Sequence, residues 1–286
     1  MEDLRNKVAV ITGGAEGIGR AIAYRAAKEG MKLVLGDINE ISLAGTVAEL
    51  VGQGAEVIGV PTDVSRYEDV VALANAAFTR FGRVHLLVNN AGVALCKPAW
   101  ELTLNDWDWV LGVNLHGVIH GLQAFVPRML SDGDAGHIIN TASAAGLLTT
   151  PGFAAYSVSK HGVVALSEVL HHDLALRGSN LKVSVLCPAW VKTRIAESER
   201  NREDAERSDP NTFDPVSVKI ATAVIQATAA GIAPDQVADA VFEAIAADRF
   251  YILTHPDTKS GVKVRMEDIL QGRNPTLLSF DAGKAD

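Results

Sequence analysis

The 286-residue chain is 48% hydrophobic, enough to bury one large core, and an α/β chain of this length is commonly a single domain. A formal net charge of −8, a pI near 5.5 and the lack of any dense basic block exclude nucleic acid and anionic membrane as expected partners. No basic segment followed by an apolar run opens the chain, no apolar stretch reaches about 18 residues, and the only cysteines are Cys96 and Cys187. A soluble, cytoplasmic protein with reduced thiols is the expectation.

Residues 7–12, Lys-Val-Ala-Val-Ile-Thr, are rich in β-branched side chains and read as a buried strand ending at Thr12. The run Gly13-Gly14-Ala15-Glu16-Gly17-Ile18-Gly19 then turns into a helix with Ala21, Ile22, Ala23 and Ala26 on its packing face, ending near Gly30. Strand, glycine turn and helix start together suit a diphosphate, because free N–H groups and the macrodipole at a helix N-terminus favour anions. The spacing, G-x-x-x-G-x-G, departs from the G-x-G-x-x-G fingerprint. A second strand, 32–36, ends in Asp37, near the separation expected for an acid that binds an adenosine ribose. That carboxylate can accept bonds from both ribose hydroxyls, whereas a 2′-phosphate would meet like charge. Ile38 follows it, Glu16 sits in the turn, and no Arg or Lys replaces it. NAD is therefore expected over NADP.

Strand and helix patterns keep alternating: strand 56–60, helix 67–81, strand 86–90, a long helix 105–128, strand 136–141, helix 155–176 and strand 182–187. Pro234 opens a helix to about residue 248, and 251–254 forms a last short strand. The rhythm predicts an α/β fold: a Rossmann-like, doubly wound parallel sheet with helices on both faces, in one domain spanning 1–286. Ligands bind beyond the carboxyl ends of such strands, so Thr12, Asp37, Asn90, Ser143 and Pro188 are expected to face one cleft.

Four further residues carry chemistry. Tyr156 and Lys160 stand four apart on a predicted helix and so share a face. A phenol with a pKa of about 10 is a poor acid or base at neutral pH, and an ammonium beside it favours the phenolate. Ser143, just after strand 136–141, is placed to hydrogen-bond the same reacting oxygen, and Asn114 lies in the long helix. Together they describe a device that moves a proton while something else moves a hydride.

The segment 194–233 is irregular, and 197–207 is almost wholly charged or polar. It is expected to form a lid, with the apolar stretch 216–229 packed inward and the charged part outside. Residues 256–286 form a carboxyl-terminal extension. His116 with His120, and His171-His172, lack a third ligand, so no metal site is expected. Trp107 and Trp109 read as core or interface, and Cys187 as a buried small hydrophobe.

Thr12-Gly13-x-x-x-Gly17-x-Gly19, Asp63-Val64, Asn89-Asn90-Ala91-Gly92, Asn114, Ser143, Tyr156-x-x-x-Lys160 and Pro188-x-x-x-x-Thr193 together resemble the motif series of the short-chain dehydrogenase/reductase family, in its order and at its spacings. The resemblance implies that Asp63 and Val64 flank the adenine and that Asn90, Ala91 and Gly92 lie along the cofactor. It implies that Asn114 anchors a water relay to Lys160, that Ser143 holds the substrate oxygen and that Tyr156 is the acid/base. Val191 and Thr193 would bind the nicotinamide carboxamide, with Tyr156, Lys160 and Pro188 also on the cofactor. Ala189 stands where the family usually has Gly. The resemblance assigns helices 105–128 and 155–176 to subunit contacts, implying a homotetramer, with a dimer next.

Pocket candidates at the positions the family uses are Val93, Ala94, Leu95, Ala145, Leu147, Leu148, Phe153 and Trp190, with Cys96 a further candidate. Nearly all are apolar, and none is a cation for a carboxylate. This favours a small hydrophobic partner: a bulky aryl, alicyclic, terpene or steroid secondary alcohol, or its ketone. Two alternatives stay open: an NADPH-dependent carbonyl or ketoacyl reductase, and a non-catalytic NAD-binding sensor or scaffold.

Overall fold

The structure is a computed structural model that describes residues 3–209 and 213–278. Its strands are β1 (Val8–Thr12), β2 (Lys32–Asp37), β3 (Val57–Pro61), β4 (Leu86–Asn89), β5 (Gly136–Thr141), β6 (Leu181–Cys187) and β7 (Tyr251–Leu253). They form one sheet in the order β3-β2-β1-β4-β5-β6-β7, with every neighbouring pair parallel. Parallel neighbours require crossovers, which the helices provide while covering both faces. The helices are α1 (Gly17–Lys28), α2 (Glu40–Gly52), α3 (Tyr67–Phe81), α4 (Leu104–Leu111), α5 (Gly117–Asp132), α6 (Ala154–Leu176), α7 (Pro215–Ala230), α8 (Pro234–Ala246) and α9 (Asp257–Gln271).

Alternate strand residues feed opposite cores, as the period of two demands. Ala9 and Ile11, with Leu33 and Leu35, pack toward α1, α2 and α8. Val8 and Val10, with Val34, pack toward α3 and α5. Register brings the carboxyl ends level: Thr12 lies beside Gly36, Asn89 beside Asn140, and Cys187 beside Leu253.

The expected strands and the doubly wound sheet are present, whereas α2 and α9 were not delimited in the sequence. On α2, Ile41 and Val51 are exposed, which blurs the apolar stripe. The buried residues of α9 are Thr258, Gly261 and Asp268, none of them a large apolar side chain that periodicity detects. The long predicted helix is interrupted by a π-helical turn, Gly112–His116, between α4 and α5. Contrary to the composition reading, the continuous helix Leu104–Asp132 is long and apolar enough to cross a membrane by length and composition alone. Its Val110, Val118, Phe125 and Met129 are buried in the cores, which accounts for that apolarity.

A buried histidine ties β5 to β6. His137 Nε2 lies 2.7 Å from Ser184 Oγ, which donates onward to the Arg249 carbonyl at 2.7 Å, so the ring is the donor in its pair. Burial pushes its pKa down to about 4. The unfolded chain therefore takes up a proton that the folded chain refuses between about pH 6.5 and 4, and stability falls as pH drops through that window. The loss attributable to His137 is expected to be on the order of 3 kcal/mol. Urea unfolding of wild type and His137→Gln at pH 7 and at pH 4.5 should show a smaller acid-induced loss in the variant, whose amide can donate to Ser184 without titrating.

Candidate active site

At the switch between β1 and β4 the glycine turn packs against the segment after β4. Gly13 and Gly17 have φ of +63° and +55°, and a Cβ on Gly13 would come within 2.8 Å of Ala91 Cα. A Cβ on Gly19 would collide with the Gly13 carbonyl oxygen, so glycine is needed there for α1 to start this close to the turn. No side chain caps α1 at Glu16, which leaves the first N–H groups of the helix available to an anion. Thr12 is buried and does not line the cleft, contrary to expectation. Its Oγ1 accepts the Asn90 N–H at 2.9 Å and the Ala91 N–H at 3.2 Å, fixing the segment opposite the turn. Gly19 likewise shapes the cradle without lining it, whereas Gly13, Gly17, Ile18, Asn90, Ala91 and Gly92 do line it.

Asp37, at the end of β2, accepts the Asn39 N–H at 2.9 Å and the Ala15 N–H at 3.0 Å. Burial pushes its carboxyl up, and these two bonds oppose the shift. Asp63 and Val64 lie along the same wall. No Arg or Lys stands at Asp37 along the chain, yet Arg194 and Arg200 line the same cleft. Arg200 lies 3.0 Å and Arg194 3.4 Å from the Glu16 carboxylate, across more than 170 positions of sequence.

Ser143, Tyr156, Lys160, Pro188, Val191 and Thr193 join the same cleft, about 790 Å³ in volume. Ser143 Oγ donates to the Pro188 carbonyl at 3.3 Å, accepts the Ala145 N–H at 3.1 Å and is hydrogen-bonded to Tyr156. Lys160 is buried at the base, where its ammonium donates to the Thr141 carbonyl at 2.9 Å, 5.7 Å from the centre of the Tyr156 ring. Burial lowers Lys160 to about 8. Burial also raises the Tyr156 phenol, with the Ser143 hydrogen bond opposing, so the lowering expected from Lys160 does not dominate in this structure.

Asn114 is fully buried in the π turn, off the cleft surface. Its amide exchanges two 2.8 Å bonds with the Val93 backbone and donates to Ser159 Oγ at 3.1 Å, which in turn donates to the Tyr156 carbonyl at 2.7 Å. It thus ties the segment after Gly92 to the first turns of α6.

Toward the substrate end, Val93, Ala94, Ala145, Leu148, Phe153 and Trp190 line the cleft as expected. Leu95 and Leu147 do not: Leu95 is buried with Val110 and Ala155, and Leu147 packs against the core cluster that includes Val163 and Val164. Cys96 does not line the cleft; its Sγ packs against Gly152 instead. Trp109, packed on the Leu95 cluster, lies 4.7 Å beneath the Arg202 guanidinium.

The charged stretch stays outside at Glu197 and residues 203–207, which are exposed, but not at Arg202. Arg202 is buried and pairs with Asp106 at 2.7 Å, while Lys97 reaches the other Asp106 oxygen at 3.1 Å. Burial alone would raise the Asp106 carboxyl, but bonds from Arg202, Thr103 and Lys97 outweigh it and hold the pKa low. Arg202 also lines the cleft, so a cation is present that the list of apolar candidates lacked. Conversely, α7 buries Ser217, Val224 and Thr228 and leaves Val216, Val218 and Ile225 exposed, so the apolar stretch packs inward only in part. The expected lid also includes residues 210–212, which lie outside the described residues, as do 279–286 of the extension.

His255 was not identified from sequence. Its Nε2 donates to the Trp190 carbonyl at 3.1 Å and its Nδ1 accepts the Ala189 N–H at 3.3 Å. It thereby clamps the stretch where alanine replaces the family's usual glycine. Thr258, Gly261 and Leu278 of the extension also line the cleft.

The pattern that describes short chain dehydrogenases matches residues 7–204. The chain is 37% identical to a CLA biosynthesis dehydrogenase/reductase of Lactiplantibacillus plantarum, over 98% of this chain and 99% of that protein. It is 36% identical to the 1-deoxy-11-beta-hydroxypentalenate dehydrogenase of Streptomyces avermitilis, over 93% of this chain and 91% of the relative. A crystal structure of a short chain dehydrogenase/reductase from Burkholderia phymatum in complex with NAD superposes with a TM-score of 0.94, at 50% identity, covering 98% of this chain and all of the other.

Removing one member of a buried ionic cluster strands its partners. Asp106→Ala should cost about 3–5 kcal/mol in urea unfolding and speed tryptic cleavage after Arg200 and Arg202, because Lys97 and Arg202 lose their shared counter-charge.

Proposed function

The chain belongs to the short-chain dehydrogenase family, and from that premise we propose that it interconverts a bulky hydrophobic secondary alcohol and its ketone with NAD. The observation that carries this reading is the meeting of Ser143, Tyr156 and Lys160 in one cleft with the glycine cradle. The cradle fits a dinucleotide: a Cβ at 13 or 19 would push apart the turn that forms it, α1 starts uncapped, and Asp37 stands on the same wall. Gly13, Gly17 and Ile18 would hold the diphosphate, with Gly19 letting the turn come this close; Asp37 would bind the adenosine ribose, and Asp63 and Val64 would flank the adenine. Asn90, Ala91, Gly92 and Pro188 would lie along the cofactor, and Val191 and Thr193 would bind its carboxamide. When bound, NAD supplies a positively charged ring that accepts the hydride.

Ser143 Oγ holds the alcohol oxygen, and the Tyr156 phenolate takes the hydroxyl proton as the C–H bond is broken. In the reverse direction the phenol returns that proton to the ketone oxygen. The Lys160 ammonium, 5.7 Å from the ring centre, is the charge placed to stabilise the phenolate that burial disfavours. Asn114, through Val93 and Ser159, keeps both walls of the site in register. Orientation and electrostatics are the contribution of the side chains.

The apolar walls at Val93, Ala145, Leu148 and Phe153 support a bulky hydrophobic substrate of the aryl, alicyclic, terpene or steroid kind. The similarity to a hydroxypentalenate dehydrogenase supports an alicyclic one. Residues 194–233 act as the substrate lid, and Thr258, Gly261 and Leu278 of the extension add to the cleft's wall. The assembly is a homotetramer, with a dimer as the next reading. The exposed Val158, Val169 and Leu176 of α6 support burial of that helix between subunits.

NADH formation across aryl, terpene and steroid secondary alcohols tests the reaction. Turnover with NAD on one class is expected, and silence in both the oxidising and reducing directions would count decisively against it. Tyr156→Phe should lower turnover by about 10²–10⁴-fold while NAD affinity measured by calorimetry changes little.

A further inference from the structure

We propose that Glu16 sets cofactor choice by holding Arg194 and Arg200 away from a 2′-phosphate, an inference that rests on the NAD reading above. Glu16 stands immediately before α1. Its Oε2 accepts from Arg200 Nη2 at 3.0 Å, and its Oε1 accepts from Arg194 Nη1 at 3.4 Å and from Ser42 Oγ at 3.1 Å. All four charged groups, Glu16, Asp37, Arg194 and Arg200, line the same cleft. Asp37 feels Glu16 and Arg200 with opposite sign, so the three act within one local field.

A ribose with both hydroxyls free needs an acceptor and no surplus cation, and Asp37 with its neighbours meets that condition. A 2′-phosphate brings close to two negative charges and needs free cations. Two are present, but Glu16 engages both. Arg200 spends Nη1 on the Arg194 and Glu197 carbonyls at 2.8 and 3.1 Å, and Arg194 also pairs with Glu197 at 2.8 Å. The buried Nε of Arg200 has no hydrogen-bond partner, so this side chain keeps a donor that a phosphate oxygen can use once the guanidinium is released. Neutralising Glu16 leaves the rest of the wall in place and shifts its charge by one unit toward the cation. Asp37 accounts for what the site accepts, and Glu16 for why the nearby arginines do not widen it.

Calorimetric titration with NAD and with NADP separates the possibilities without relying on turnover. Wild type, Glu16→Gln, Glu16→Ala, Arg194→Gln/Arg200→Gln and the triple variant Glu16→Gln/Arg194→Gln/Arg200→Gln are compared. In both Glu16 variants NADP affinity should rise about tenfold relative to NAD, with NAD itself within about threefold. The gain should vanish in the triple variant. An unchanged NADP-to-NAD ratio in both Glu16 variants, or a gain that survives loss of both arginines, overturns the role of Glu16 while leaving the NAD reading intact. Wild type that binds NADP more tightly than NAD, or neither, overturns the NAD reading and this inference with it.

Discussion

The gap at β1 governs the rest of the molecule. From β1 the sheet grows to β2 and β3 on one side and to β4 and its successors on the other, so the loops leaving β1 and β4 part and open a crevice. Thr12 sets its width. By accepting the Asn90 and Ala91 N–H groups it locks the far wall onto the end of β1, and Gly13 permits the close approach that results. Every later group, from Ser143 after β5 to Pro188 after β6, is aimed by strands in register with that pair.

Burial supplies the chemistry and also works against it. Lys160 sits where its ammonium is driven down to about 8, and the Tyr156 phenol is driven up. Both shifts come from desolvation, which disfavours whichever form is charged. Positive charge placed beside the pair would favour the phenolate that burial disfavours.

The strands, the glycine turn and the meeting of Tyr156 with Lys160 were legible because each depends on local pattern: β-branched runs, closely spaced glycines after Thr12, and a four-residue spacing on one helix. What stayed hidden depends on distance in space. Arg200 and Arg202 read as part of a charged run kept outside and Arg194 as the start of an irregular segment, yet their partners Glu16 and Asp106 lie far away in sequence. His255 sits beyond the last strand, and nothing around it signals that both ring nitrogens would meet the backbone at Ala189 and Trp190. Leu95 and Leu147 failed as wall residues because being apolar does not say which way a side chain turns.

The π turn at Gly112–His116 bears on how this helix tolerates change in length. A π turn holds one residue more than an α-helical turn, so it takes up an extra residue locally while the helix on either side keeps its facing. The face of α5 held in place beyond it carries Gly117 against Val64 and Gly121 against Asn89, where a Cβ would meet the Val64 side chain at 2.8 Å or collide with the Asn89 amide. A single-codon deletion within α5 itself, where no such turn absorbs it, would rotate the following residues by about 100°, swing bulkier neighbours into the Asn89 contact and carry Phe125 and Met129 off their core. The turn is therefore the place along this helix where a change of one residue in length can be absorbed.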